Sequence, residues 1–118
     1  MSDGLKKSMA SKQTTVDFIV EQMAVAGLIS AKKMFGEFCI YCDGKVVALV
    51  CDDKLFVKIT EAGKKFAGKM SERPAYKGAK PSLLIPADKW DDADWLARLI
   101  KITTAALPVP KKKAGRKT

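Results

Sequence analysis

The chain has 118 residues, 47% of them apolar and 30% charged, with a formal net charge of +9. That length holds one domain with its own hydrophobic core, and the composition excludes a fibrous or wholly unstructured chain. Apolar runs fall short of the ~18 residues that span a bilayer, so no membrane role is expected.

Residues 1–13, "MSDGLKKSMASKQ", are basic with no apolar stretch behind them, and are read as a flexible N-terminal extension rather than a secretory signal. The folded domain is expected over 14–110. A first helix is predicted from Thr14 or Thr15, either of which can cap the free amides of its first turn. Val16, Ile19, Val20, Met23 and Ala26 keep the 3.6-residue period of a buried face. Gly27 then predicts a left-handed stop.

From Ile29 to Lys58 the pattern changes to strands. "FCIYC", "KVVALVC" and "KLFVK" are rich in β-branched and aromatic residues and are separated by short polar turns. Asp43-Gly44 predicts a tight type I′ hairpin, and Asp52-Asp53 a weaker second turn. A strand over Ala31 to Phe35 precedes them, with Gly36 at a bulge or bend. Thr60 is predicted to cap a short helix, "EAGKKFAGKM", with Ala62, Phe66, Ala67 and Met70 on its apolar side. Ser71 to Pro81 reads as a loop into the strand "SLLI", which Pro86 closes. In the last helix Asp91, Asp92 and Asp94 precede Arg98 and Lys101, the order its dipole favours. Trp95, Leu96, Leu99, Ile100, Thr103, Ala106 and Leu107 form its apolar stripe. The class is α+β: an antiparallel sheet, a meander of three to four strands plus one further strand, with N-terminal, middle and C-terminal helices.

Beyond Pro108 and Pro110, "KKKAGRKT" has nothing to bury, so 111–118 is expected as a disordered basic tail. Lys111, Lys112, Lys113, Arg116 and Lys117 concentrate positive charge there, whereas the body is near charge balance. These five could contact phosphates and give weak, salt-dependent nucleic-acid binding. The competing reading is a solubilising terminus.

The three cysteines include a Cys39-x-x-Cys42 pair. Three residues apart on a strand, the two point to opposite faces, too far apart for a disulfide. With Asp43-Gly44 as a two-residue turn, Cys39 faces Ala48, Cys42 faces Lys45, and Cys51 falls opposite Gly36, so no two thiols meet. A structural zinc site needs a second pair of ligands, and the chain has no histidine. The cysteines are therefore read as core, and no metal or cofactor is expected. Free thiols also fit a cytoplasmic location.

Without histidine the commonest general base is missing. Ser30 to Lys33 matches S-x-x-K, but the partner motifs of that enzyme class are absent. Asp88, Asp91, Asp92 and Asp94 lack calcium-loop spacing and read as helix-start residues. No catalytic residue is assigned, and the chain is not expected to be an enzyme. Both faces of the predicted sheet are apolar: Phe38, Ile40, Val47, Leu49 and Phe56 on one; Cys39, Tyr41, Val46, Ala48, Val50, Leu55 and Val57 on the other. A homodimer through the second face follows, unless the helices divide between the two sides.

The stretch "SAKKMFGEFCIYCDGKVVALVCDDKLFVK" resembles the opening sheet of the TfoX N-terminal domain family, named after bacterial competence regulators. The likeness runs from "TTVDFIVEQM" through "YKGAKP" to "WLARLIKITTAALP". Its signature segment is Lys33, Met34, Phe35 and Gly36, followed by Tyr41, Asp43 and Gly44. Cys39 departs from the family pattern, which often has glycine or another small residue there. The resemblance implies an α+β domain without catalytic residues, acting in transcriptional or competence regulation through other proteins. The competence regulators carry a second, helical domain; this chain ends at Thr118, so their role transfers poorly. A non-enzymatic interaction domain is the first reading, using the second sheet face and Lys33 to Glu37 as contact surfaces. A nucleic-acid binder using the tail is the alternative, and a small-molecule or enzymatic domain a distant third.

Overall fold

The computed structural model describes residues 12–34 and 37–108. Helix α1 (Gln13–Met23) and a single 3-10 turn (Ala24–Ala26) lead into four strands, β1 (Ile29–Met34), β2 (Glu37–Cys42), β3 (Lys45–Cys51) and β4 (Lys54–Val57). Helix α2 (Glu61–Ala67), strands β5 (Ser71–Pro74) and β6 (Pro81–Ile85), a short helix α3 (Ala87–Trp90) and the long helix α4 (Ala93–Ala106) follow. All six strands form one antiparallel sheet in the order β1-β2-β3-β4-β6-β5. The α+β class matches the sequence reading, but the sheet is larger. Ser71 to Pro74, expected as loop, pairs along β6 as an edge strand. All four of its residues are exposed and one is proline, so no apolar alternation marks it.

Helix α1 buries Val16, Ile19 and Met23 on one face. It begins one residue earlier than predicted, and neither threonine caps it. The Lys12 amide just ahead of it donates instead to the Asp53 carboxylate across the β3–β4 turn, at 2.8 Å. Gly27 does not adopt the left-handed stop; its φ of 157° and ψ of −157° are extended. Glycine is required there by close approach: a Cβ would stand 2.9 Å from Asp43 Oδ1 and 3.0 Å from Cys42 Sγ.

Both hairpin turns are tight and left-handed at both central positions, with φ 53° and 84° at Asp43 and Gly44 and φ 54° and 57° at Asp52 and Asp53. Aspartate is among the few residues that tolerate this region. The register of the first hairpin differs from expectation. Cys42 does face Lys45, but a bulge between Ile40 and Tyr41 sets Cys39 opposite Leu49 instead of Ala48. One extra residue on a strand exchanges the faces of everything beyond it. Phe38, Ile40, Ala48, Val50, Leu55 and Val57 therefore share one face, while Cys39, Leu49 and Phe56 share the other.

The first of these faces carries the core. With Val47, Leu83 and Ile85 it packs against Val16, Ile19 and Met23 of α1 and Leu96, Ala97, Leu99 and Ile100 of α4. Burying a side chain of this kind contributes roughly 1.5–3 kcal/mol. Asp92 caps α4, accepting from the Trp95 amide at 3.1 Å. The stripe is shifted from the predicted one, for Ala97 and Thr104 are buried and Ala106 is exposed. At its far end Lys45 Nζ donates to the Thr104 and Leu107 carbonyls at 2.8 and 2.9 Å, placing a cation on the negative pole of the helix. Helix α2 is capped by Thr60 as predicted, with Oγ1 accepting from Gly63 N at 3.0 Å. It stops at Ala67, before Gly68, and Ala62 is exposed whereas Gly63 is buried against α4.

Candidate functional site

The helices contribute their buried residues to one side of the sheet only. Cys39, Cys51 and Phe56 are as buried as core residues yet stand apart from the core cluster. They lie on the opposite face with Tyr41, Leu49 and Leu84. Two hollows open on this face, and their walls come from strands and connecting loops with no helical residue among them. The alternative in which helices divide between the two faces does not hold among the described residues. What remains among the described residues is a second, largely apolar sheet face, unusual for an antiparallel sheet whose wet face normally alternates with polar residues.

The signature segment splits across the structure. Met34, 41% exposed at the end of β1, pairs with Glu37, and both line the hollow of about 460 Å³ beside Cys39, Leu49 and Cys51. Lys33 pairs with Phe38, so its register places it on the helix side. Tyr41 lies on the open face, half-buried, opposite Ser30 and Val46. Asp43 and Gly44 serve the fold: the Asp43 carboxylate accepts from Leu28 N, and Asp43 N donates to Leu28 O, both at 2.9 Å. This clasp ties the β2–β3 turn to the segment that leaves α1. Phe35, Gly36, Lys111, Lys112, Lys113, Arg116 and Lys117 lie outside the described residues.

The thiols divide as their strand positions require, but not wholly as predicted. Cys42 enters the helix-side core, while Cys39 takes the open face. The bulge also brings Cys39 and Cys51 onto the same face as diagonal neighbours, correcting the expectation that no two cysteines approach. All three are free. Burial pushes the Cys51 thiol up to about 11, with further upward contributions from Glu37, Cys39 and Asp52. A thiol held neutral in this way is a weak nucleophile at neutral pH. Charge on Cys39 raises the Tyr41 phenol above its ordinary value, helped by desolvation and a hydrogen bond between the two side chains.

Among the described residues, no three or more His, Cys, Asp and Glu side chains are grouped to hold a metal ion. Asp92 is a helix cap, Asp88 sits in the first turn of α3, and Asp94 in that of α4. Ser30 and Lys33 lie on strand β1, not at a helix start, so the S-x-x-K match has no catalytic geometry. No helix among the described residues is long and apolar enough to cross a membrane.

Sequence reasoning missed Tyr76, Lys58 and Lys80, which border the open face. Tyr76 sits on the β5–β6 loop and is 60% exposed. A tyrosine between glycine, alanine and lysine has no periodic signal, and only tertiary folding brings it over Leu49.

Fold and surface together define a small α+β domain with helices on one side of an antiparallel sheet and, on the other, a largely apolar face that no described helix packs against. A family model of the TfoX N-terminal domain matches residues 21–107. The chain belongs to the TfoX N-terminal domain family. It is also 35% identical over 111 residues to the uncharacterised 12.7 kDa protein in the trpE 5′ region of Spirochaeta aurantia, covering 93% of this chain and 96% of that protein.

Proposed function

We infer that the chain is a non-enzymatic interaction domain that acts in regulation by docking another protein on its open sheet face. One observation carries this reading: an apolar strand face bordered by Met34 and Tyr76 that no helix covers. An apolar face of this kind gains free energy when a partner removes it from water, at roughly 25 cal/mol per Å². Supporting it, burial holds the Cys51 thiol neutral to higher pH than usual, which suits an apolar contact surface. Nucleophilic work would call for a lowered thiol instead.

The test is photocrosslinking in cells from a benzophenone side chain at position 34 or 76, with exposed position 101 on α4 as control. Discrete protein adducts from 34 and 76, absent from 101, are the expected result. A product at twice the chain mass identifies a second copy, and any other mass a different protein. Equal labelling from both sides of the molecule, or no adduct, overturns the reading.

A further inference from the structure

The open face has polarity along its length. Its hollow of about 460 Å³ is walled by Met34, Glu37, Phe38, Cys39, Leu49 and Cys51, and its acidic group, Glu37, accepts from the Asp52 amide at 3.1 Å. Leu49 and Tyr76 are shared with a second hollow, of about 610 Å³, that carries Lys58, Lys80 and Ser82. The two therefore make one groove, mostly apolar with a single carboxylate at one end and cationic at the other. The acidic side chain at the cationic end, Glu72, is already held by Lys64 at 2.9 Å. Neither Lys58 nor Lys80 has an ion-pair partner among the described residues. Unpaired lysines beside an apolar, thiol-lined recess are a complement in search of a molecule with the same division. An apolar body gains by leaving water at the sulfur end. An anionic head gains from two lysines whose attraction is only partly screened beside a protein wall.

We propose that this groove binds a small amphipathic anion, its aromatic or aliphatic body against Met34, Cys39 and Cys51 and its carboxylate or sulfonate between Lys58 and Lys80. Tyr76 stands where the two parts of such a ligand join. The inference does not depend on protein docking, and its test needs only the purified full chain.

Isotope-labelled protein is titrated with anilinonaphthalene sulfonate and, separately, with phenylnaphthylamine, the same skeleton without the anion, and amide shifts are followed by NMR. The sulfonate should bind more tightly than the neutral probe and shift the amides of Leu49, Cys51, Lys58, Tyr76 and Lys80. Replacing both lysines (Lys58→Gln with Lys80→Gln) should raise the Kd for the sulfonate roughly five- to tenfold, as two surface charge contacts allow. The neutral probe should hold its affinity within about twofold, since it has no charge to lose. Tyr76→Ala, on an exposed loop and therefore safe for the fold, should weaken both probes. Unshifted groove amides, equal affinity for the two probes, or a lysine double variant that binds the sulfonate as the parent does would each overturn the proposal.

Discussion

Asp43 does three things that no other side chain in the turn could combine. It accepts a left-handed φ of 53°, takes the Leu28 amide at 2.9 Å, and fills the space beside Gly27 that a Cβ would need. Asp43→Ala should cost about 1–2 kcal/mol, the worth of one hydrogen bond to a charged acceptor plus the loss of a residue that tolerates positive φ. Asp43→Asn, which keeps both shape and an acceptor, should cost less than half as much; urea denaturation compares them. Cys51 supplies a pH test. Its folded thiol titrates near 11 against an ordinary value of 9.0, so the native state holds its proton where the unfolded chain releases it. Stability from this group is complete below pH 9 and declines as pH rises toward 11, and Cys51→Ser should flatten that decline in denaturation midpoints. For the same reason alkylation of folded protein at pH 8 should spare Cys51 until denaturant is added.

At the scale of elements, Gly63 sets two opposing effects against each other. On an exposed helix Gly→Ala gains up to about 1 kcal/mol in propensity. In α2, however, a new Cβ would meet Thr60 Oγ1 at 2.8 Å and Thr103 Oγ1 at 3.2 Å. The first is the oxygen that caps the helix, and displacing it forfeits about 1 kcal/mol. Overpacking against α4 adds roughly 1–3 kcal/mol. Gly63→Ala should therefore destabilise by about 1–3 kcal/mol net, and a lower Tm by calorimetry checks the sign. Helix α4 was the element most legible in advance, because Asp92, Trp95, Leu96, Leu99 and Ile100 each carry a local cue for start or burial. Gly63 was not, since its glycine reads as a weak helix until α4 is seen lying against it. Strand β5 escaped for the opposite reason: an exposed edge leaves no burial to imprint a pattern on four residues.

The whole molecule places Lys58 and Lys80 around an apolar face, with Lys32 on the same side by its pairing with Cys39. Two copies meeting through this face would bring like charges together. Any self-association here should tighten as ionic strength rises from about 0.1 M to about 1 M, where the Debye length falls from ~10 to ~3 Å. Sedimentation equilibrium at the two salts reads this directly, and Leu49→Lys should weaken association at both. Pairing through ion pairs from these lysines to acidic groups of the other copy would instead loosen with salt.

The α+β class, the three main helices, both hairpin turns and the four-strand meander were written in local chemistry: periodicity, capping residues, and aspartates that accept positive φ. The face on which each strand residue ends was not. A single bulge after Ile40 moved Cys39 from Ala48 to Leu49 and put two thiols on one surface. The bulge leaves Val47 of β3 unpaired between Val46 and Ala48, and no local residue pattern marks its position. Which face the helices take is likewise a tertiary outcome: both were apolar in sequence, and the packing of α1 and α4 onto the same side left Leu49, Cys51 and Tyr76 with no described helix against them.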